Sequence, residues 1–322
     1  MDYRPPPGGP SEVEPGPRSE KEDALHRDAA TGQRSNPGYG SDRLARIAGL
    51  CRQDMLAALS NSRWLARMPR RLLQRLVERR IAGFAGQLIE FDDRIARDGL
   101  ASASAWGLTQ WSGPVQQYGH PAPPGGPLLL VSNHPGLVDA ITLLSTLADH
   151  DVRLLVAERP LFHALPALQA HLISVAPAGA GRAQALRAAV RHLRSGGTLV
   201  TYPAGHIEPD PAADPGGARA ALARWSPSAT YLARRVPALT VQPVAVSHVI
   251  AAHYRRHWLA RQAIDPEDRD AIAAALQVLA ARVHDNQPRL ALGTPITGVA
   301  TNALQSEIKQ KMTALMHENL SQ

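Results

Sequence analysis

Residues 128–144 read LLLVSNHPGLVDAITLL, and the rest of the chain falls into place around them. LLLVSN (128–133) is a short continuous apolar run of the kind that forms a fully buried strand. A turn through Asn133, His134, Pro135 and Gly136 follows, and ITLLSTLADH (141–150) is helical. Asn133 suits the N-cap of that helix, and Pro135 suits its first turn, where a missing N–H would go unpaired in any case. A buried strand feeding a helix through a tight turn is the unit of an α/β sheet, and ligands gather where such strands end.

The unit recurs downstream. VRLLVAE (152–158), TLVTYP (198–203) and ALTVQPVAVSH (238–248) read as strands. RAQALRAAVRHLRSG (182–196) and ALARWSPSATYLARR (221–235) read as helices between them. DPEDRDAIAAALQVLAARVHD (265–285) is a further helix with Asp265 as its N-cap, and a last helix starts near Ala300. Gly293 and Pro295 in RLALGTPI (289–296) predict an edge position for that strand. The expected fold class is α/β, a mostly parallel central sheet flanked by helices.

Upstream, residues 1–40 are rich in Pro, Gly, Ser and charge, with too little apolar surface to offset the cost of ordering. They are expected to form a disordered tail. Residues 41–112 are a helical region. Leu44, Ile47, Leu50, Met55, Leu56 and Leu59 recur at helical spacing, as do Leu72, Leu73, Leu76, Val77 and Ile81, with Pro69 as a break between the two sets. AGFAGQLIEFDDRIARDGL (82–100) adds a third helical piece ending near Gly99. Between Arg43 and Arg80 stand ten arginines and only two acids, with Trp64 among them. Such a stretch fits an anionic membrane surface, or equally a pair of core-packed helices with a solvated arginine face. Residues 113–322 are the expected α/β domain.

The 322 residues carry a net charge of +7 and are 44% apolar, enough for a sizeable core and a bias toward anionic partners. The single cysteine, Cys51, excludes an intramolecular disulfide framework and a Cys-rich zinc site. No apolar run reaches the roughly 18 residues of a spanning helix, and the acidic N-terminus is unlike a secretory or transit segment. A cytoplasmic, peripherally membrane-associated protein is expected. Only 4% of residues are aromatic and no basic–aromatic stacking pattern occurs, so nucleic acid is not an expected partner.

G-x-S-x-G, P-loop, paired G-x-G-x-x-G and H-E-x-x-H motifs are absent. His253 and His257 stand four apart without a nearby acid or third ligand, so no metal is expected. What survives is His134 followed five residues later by Asp139. With 13 histidines in the chain, that spacing is weak by itself. On one regular helix the two side chains would point about 140° apart, at about 3.6 residues per turn. They meet only if His134 lies in the turn before the helix and Asp139 reaches back to it. Asp139 would then fix the imidazole tautomer, and the other ring nitrogen would act as general base on a hydroxyl or amine.

NHPGLVD (133–139) resembles the His-four-residues-Asp motif of the phospholipid/glycerol acyltransferase family, whose best-known members acylate lysophosphatidic acid. Three further segments follow in that family's order over roughly residues 125–250. LLVAERPLFHALP (154–166) resembles the strand and loop before its second motif. GGTLVTYPAGHIEPD (196–210) resembles its third motif, and VQPVAV (241–246), with Pro243, its fourth. The resemblance implies a glycerol-3-phosphate acyltransferase-like fold. It also implies an acyl-CoA or acyl carrier protein donor, a lysophospholipid- or glycerolipid-like acceptor, direct attack on the thioester, and no metal or bound cofactor. His134 and Asp139 are the implied catalytic pair.

The implied substrate-binding set is Asn133, Pro135, Gly136, Arg182, Pro203, Ala204, Gly205, His206 and Glu208. In the third motif Ala204, His206 and Ile207 replace the family's Glu, Thr and Arg, which the family uses on glycerol phosphate. Glu208 or Asp210 would stand in for the acid, and Arg182 for the second motif's arginine. Backbone N–H groups near Gly205 and in the 134–136 turn would hold the oxyanion. The alternatives are a catalytically altered, acyltransferase-fold lipid-binding protein, and a membrane or nucleic-acid adaptor built on the basic helices.

Overall fold

Seven strands among the described residues form one sheet. They are β1 (Gln116–Gly119), β2 (Leu128–Ser132), β3 (Val152–Ala157), β4 (Leu172–Val175), β5 (Thr198–Thr201), β6 (Thr240–Ser247) and β7 (Arg289–Leu292). Their order across the sheet is β1-β7-β6-β2-β5-β3-β4. Neighbours are parallel throughout except β6 and β7. This is the α/β sheet that the sequence predicts. The computed structural model describes residues 37–60, 62, 63, 67, 69–136, 138–176, 180–265, 268–279 and 286–321. Most of the expected tail (residues 1–36) and Trp64 lie outside them.

Alternate residues of the central strands serve opposite faces, as the two-residue period of a strand requires. Leu128, Leu130, Val200, Val244 and Val246 enter one core, and Leu129, Val131, Leu199, Val241 and Ala245 the other. With both faces buried, β2 is apolar from Leu128 to Val131 rather than alternating, hence the continuous LLLV run.

Thirteen helices are described: α1 (Pro37–Ser60), α2 (Arg70–Asp98), α3 (Leu100–Trp111), α4 (Asp139–Leu144), α5 (Pro160–His163), α6 (Pro166–Gln169), α7 (Ala180–Arg194), α8 (Pro215–Ala221), α9 (Ser228–Ala233), α10 (Ala252–Arg256), α11 (Trp258–Arg261), α12 (Asp268–Leu279) and α13 (Thr301–Ser321). The first core takes Ile47, Ala85, Ala103, Leu143 and Ile272 from α1, α2, α3, α4 and α12. The second takes Leu193, Ala218, Leu232 and Met312 from α7, α8, α9 and α13. This three-layer packing lies in the larger of two compact units, residues 43–322; of the other, residues 1–42, only the opening of α1 is described.

Several sequence expectations are corrected. α1 begins at Pro37, before Ser41, and the segments 72–81 and 82–98 form one helix, α2, capped by Gly99 at φ +85° with Leu100 opening α3. β7 is not an edge strand, because β1 pairs outside it. β7 ends at Leu292, so Gly293 and Pro295 follow the strand and break no ladder. QQYG (β1) is polar and LISV (β4) only four residues long, so neither carries a clear strand period. His257, in extended backbone at ψ 137°, separates α10 from α11, so His253 and His257 share no helix face.

Candidate active site

Three adjacent parallel strands, β6, β2 and β5, end at Ser247, Ser132 and Thr201. The loops that leave them meet at one end of the sheet, where open α/β sheets carry their sites. The loop after β3, next to β5, supplies Arg159.

His134 lies in the turn after β2, and its Nδ1 is 2.7 Å from Asp139 Oδ2. Its side chain is 27% exposed, whereas Asp139 is fully buried. Asp139 is the first residue of α4 and reaches back over the turn. Its Oδ2 also accepts the Gly136 N–H at 3.2 Å, and its Oδ1 accepts the Ala140 N–H at 2.6 Å. Burial lowers the basicity of the His134 ring, but the charge and hydrogen bond of Asp139, with the charge of Glu208, outweigh it. The pKa is raised above the usual 6.5, against an opposing effect from Arg159. With Nδ1 taken by Asp139, Nε2 is the ring nitrogen left to exchange a proton.

The helix starts later than the sequence suggests, so Asn133 is not its N-cap and Pro135 is not in its first turn. Asn133 instead ties the end of β2 to β6: its amide donates to Val246 O and accepts from Val246 N, each at 2.8 Å. Pro135 is buried in the turn. A Cβ on Gly136 would stand 3.1 Å from Val249 Cγ2, so glycine lets the turn close onto the loop after β6.

The segment after β5 runs beneath His134. Tyr202 lays its ring 4.8 Å from the imidazole at 36°. Its hydroxyl is buried without a hydrogen-bond partner among the described residues, and burial followed by the Asp139 charge holds its pKa well above 10. Pro203 is buried, and its carbonyl accepts the Ser226 N–H at 3.0 Å. Ala204 packs against the second core. Gly205, at φ +71°, closes a turn through its N–H to Tyr202 O, and it and His206 are exposed.

Glu208 does not face an acceptor. It is 1% exposed, and both carboxylate oxygens are filled from within the protein. Oε2 accepts the His134 N–H at 2.9 Å, and Oε1 accepts the Trp225 indole N–H at 2.7 Å. Asp210 is likewise buried and filled by Ala212, His248 and Val249 N–H groups, which hold the loop after β6. Burial raises both carboxyl pKa values, and those hydrogen bonds only partly offset it. The two acids fasten loops together, a role that an acid two residues from another in an extended segment does not announce.

The donors expected for an oxyanion are also mostly committed. His134, Gly136 and Gly205 spend their N–H groups on Glu208, Asp139 and Tyr202, and Pro135 has none. Arg182 is exposed in the first turn of α7 and forms no ion pair among the described residues. Arg159, which the sequence does not single out, is the arginine whose charge reaches His134. No cluster of metal-ligating side chains occurs among the described residues.

Residues 115–247 match the acyltransferase family model, a segment that holds β1 through β6 and every site residue named above through Asp210. The crystal structure of the 1-acyl-sn-glycerophosphate (LPA) acyltransferase PlsC from Thermotoga maritima is similar at a TM-score of 0.41 and 15% identity. That alignment covers 84% of this chain and 96% of that one. No curated protein matches the sequence.

Proposed function

We propose, from a chain whose residues 115–247 match the acyltransferase family model, that it moves a fatty acyl group from an acyl thioester to the hydroxyl of a lysophospholipid- or glycerolipid-like acceptor. The observation that carries this reading is the 2.7 Å pairing of a partly exposed His134 with a fully buried Asp139. His134 Nε2 takes the acceptor hydroxyl proton as that oxygen attacks the thioester carbonyl carbon. The C–O bond forms, negative charge collects on the carbonyl oxygen, and the C–S bond then breaks. As the thiolate leaves, the imidazolium returns the proton to its sulfur, giving ester and free thiol and restoring the neutral imidazole. Asp139 keeps the imidazole in the tautomer with hydrogen on Nδ1 and stabilises its charged form. The oxyanion is held by N–H groups of the Ala204–Ile207 turn other than the committed one of Gly205.

The donor is acyl-CoA or an acylated carrier protein, and no metal or cofactor is required by these steps. Among the described residues no helix is long and apolar enough to cross a membrane. Access to a lipid acceptor would come through peripheral association of the arginine-rich helices with an anionic surface on the cytoplasmic side.

The test is thiol release from a labelled acyl-CoA across a panel of acceptors, with products identified by mass spectrometry. Transfer to at least one lipid hydroxyl, abolished in a folded His134→Ala variant, is expected. Wild-type turnover in that variant would sink the mechanism. Analogue binding without turnover on any acceptor would favour a lipid-binding protein.

A further inference from the structure

A groove of about 530 Å³ lies between α1 and α2, bordered by the loop after β3. Gly49, Leu50 and Leu56 line it with apolar surface, and Arg46, Arg52, Gln53 and Gln74 with polar groups. Pro160 closes one side. Its neighbour Arg159 pairs with Asp54 of α1 at 3.6 Å, so the groove wall is fastened to the loop whose charge reaches His134.

The lining selects a ligand. The Gln53 and Gln74 amides each donate and accept, which suits an arm built of amides and not a bare acyl chain. Arg46 is exposed and forms no ion pair among the described residues, and Arg52 has only a 3.4 Å surface contact with Glu78. Both are open to phosphate, which arginine binds through its planar fork. The groove is much larger than one headgroup phosphate needs and falls in the roughly 300–1,000 Å³ range of cofactor-sized ligands. A Cβ on Gly49 meets nothing within 4 Å, so the helix leaves its floor open there.

We infer that this groove seats the phosphopantetheine arm of the acyl-thioester donor, with Arg46 and Arg52 on the phosphate and Gln53 and Gln74 on the amides. The inference rests on the acyl-transfer reading above, and the experiment separates the two. Full-length wild type, Arg46→Ala, Gly49→Trp and Gly49→Ala are compared for KM of acyl-CoA, acyl carrier protein and phosphate-free acyl-pantetheine, and for KM of the acceptor. Binding of a non-reactive thioether analogue of acyl-CoA is measured by calorimetry on the same proteins and on His134→Ala.

Arg46→Ala and Gly49→Trp should raise the donor KM, and the analogue Kd, about tenfold, the size of one charge-assisted contact. Acceptor KM and kcat should stay within about twofold, well under one such contact. The acyl-pantetheine KM should already be high in wild type and unmoved by Arg46→Ala. Both donors carry the arm and both should respond; the one with the higher kcat/KM in wild type identifies the physiological source. Gly49→Ala should bind as wild type, which separates filling of the groove from disturbance of the helix. A shift in acceptor KM instead, or no shift in either, overturns the assignment. Groove-dependent analogue binding without turnover on any acceptor would overturn the acyl-transfer reading and leave the groove standing.

Discussion

His134 and Glu208 are joined twice in opposite senses: the His134 N–H donates to Glu208 Oε2 at 2.9 Å, and the Glu208 N–H donates to His134 O at 2.7 Å. The residue that would carry the proton is thereby clamped through its own backbone to the segment that follows β5. The third bond, from Trp225 to the same carboxylate, fixes the clamp to the layer below.

Glu208→Gln should therefore disturb both stability and titration. One of the two buried N–H groups loses its acceptor, at a cost of about 1–3 kcal/mol readable in urea melts. Removing the carboxylate charge should also lower the pH at which His134 titrates. An unchanged melt together with an unchanged pH profile would remove Glu208 from the clamp.

The His134 pKa is raised, so the free base that the proposed reaction needs builds up at higher pH than in an ordinary histidine. The rate profile of kcat/KM should show an acid limb that climbs through that raised value. Stability runs the other way. The imidazolium–Asp139 contribution is full below the unfolded pKa and is lost as pH rises through the folded one. In Asp139→Asn the burial effect loses its main opponent, so the acid limb should move to lower pH while kcat falls sharply.

Asn133→Ala should cost about 1–3 kcal/mol or somewhat more, since it strips partners from the buried N–H and carbonyl of Val246 together. Chemical denaturation measures the loss, and thiol release should fall because His134 is the adjacent residue.

Tyr202→Phe should raise stability by up to about 1 kcal/mol, because the hydroxyl it removes is buried with no partner among the described residues. Thermal unfolding reads this directly. A fall in Tm would mean that the hydroxyl finds a partner in solution.

Much of this was readable from residues 128–144, and the reason is burial on both faces. The apolar LLLV run, the turn and the helix that begins with Asp139 left few alternatives. β1 escaped notice because an exposed polar edge strand such as QQYG is written by its neighbour β7 and not by its own period. At the site, the pairing of His134 with Asp139 followed from the need to bridge a turn. The roles of Asn133 and Glu208 did not. Each bonds a residue far away in the chain, Val246 or His134, and a polar side chain's partner across a fold leaves no local mark.

Because the loops after β2, β5 and β6 become neighbours only through parallel pairing, the site exists only once distant parts of the chain have met. Asn133 waits for Val246, 113 residues later, and His134 for Glu208, 74 residues later. Pairings of such long sequence separation are slow to form, since loop closure precedes any reward. A nascent chain that has emerged only as far as α7 already holds the whole His134–Asp139 motif and should be catalytically silent. Onset of the proposed thiol release during synthesis or refolding would then mark completion of the sheet, making that release a late-stage folding reporter.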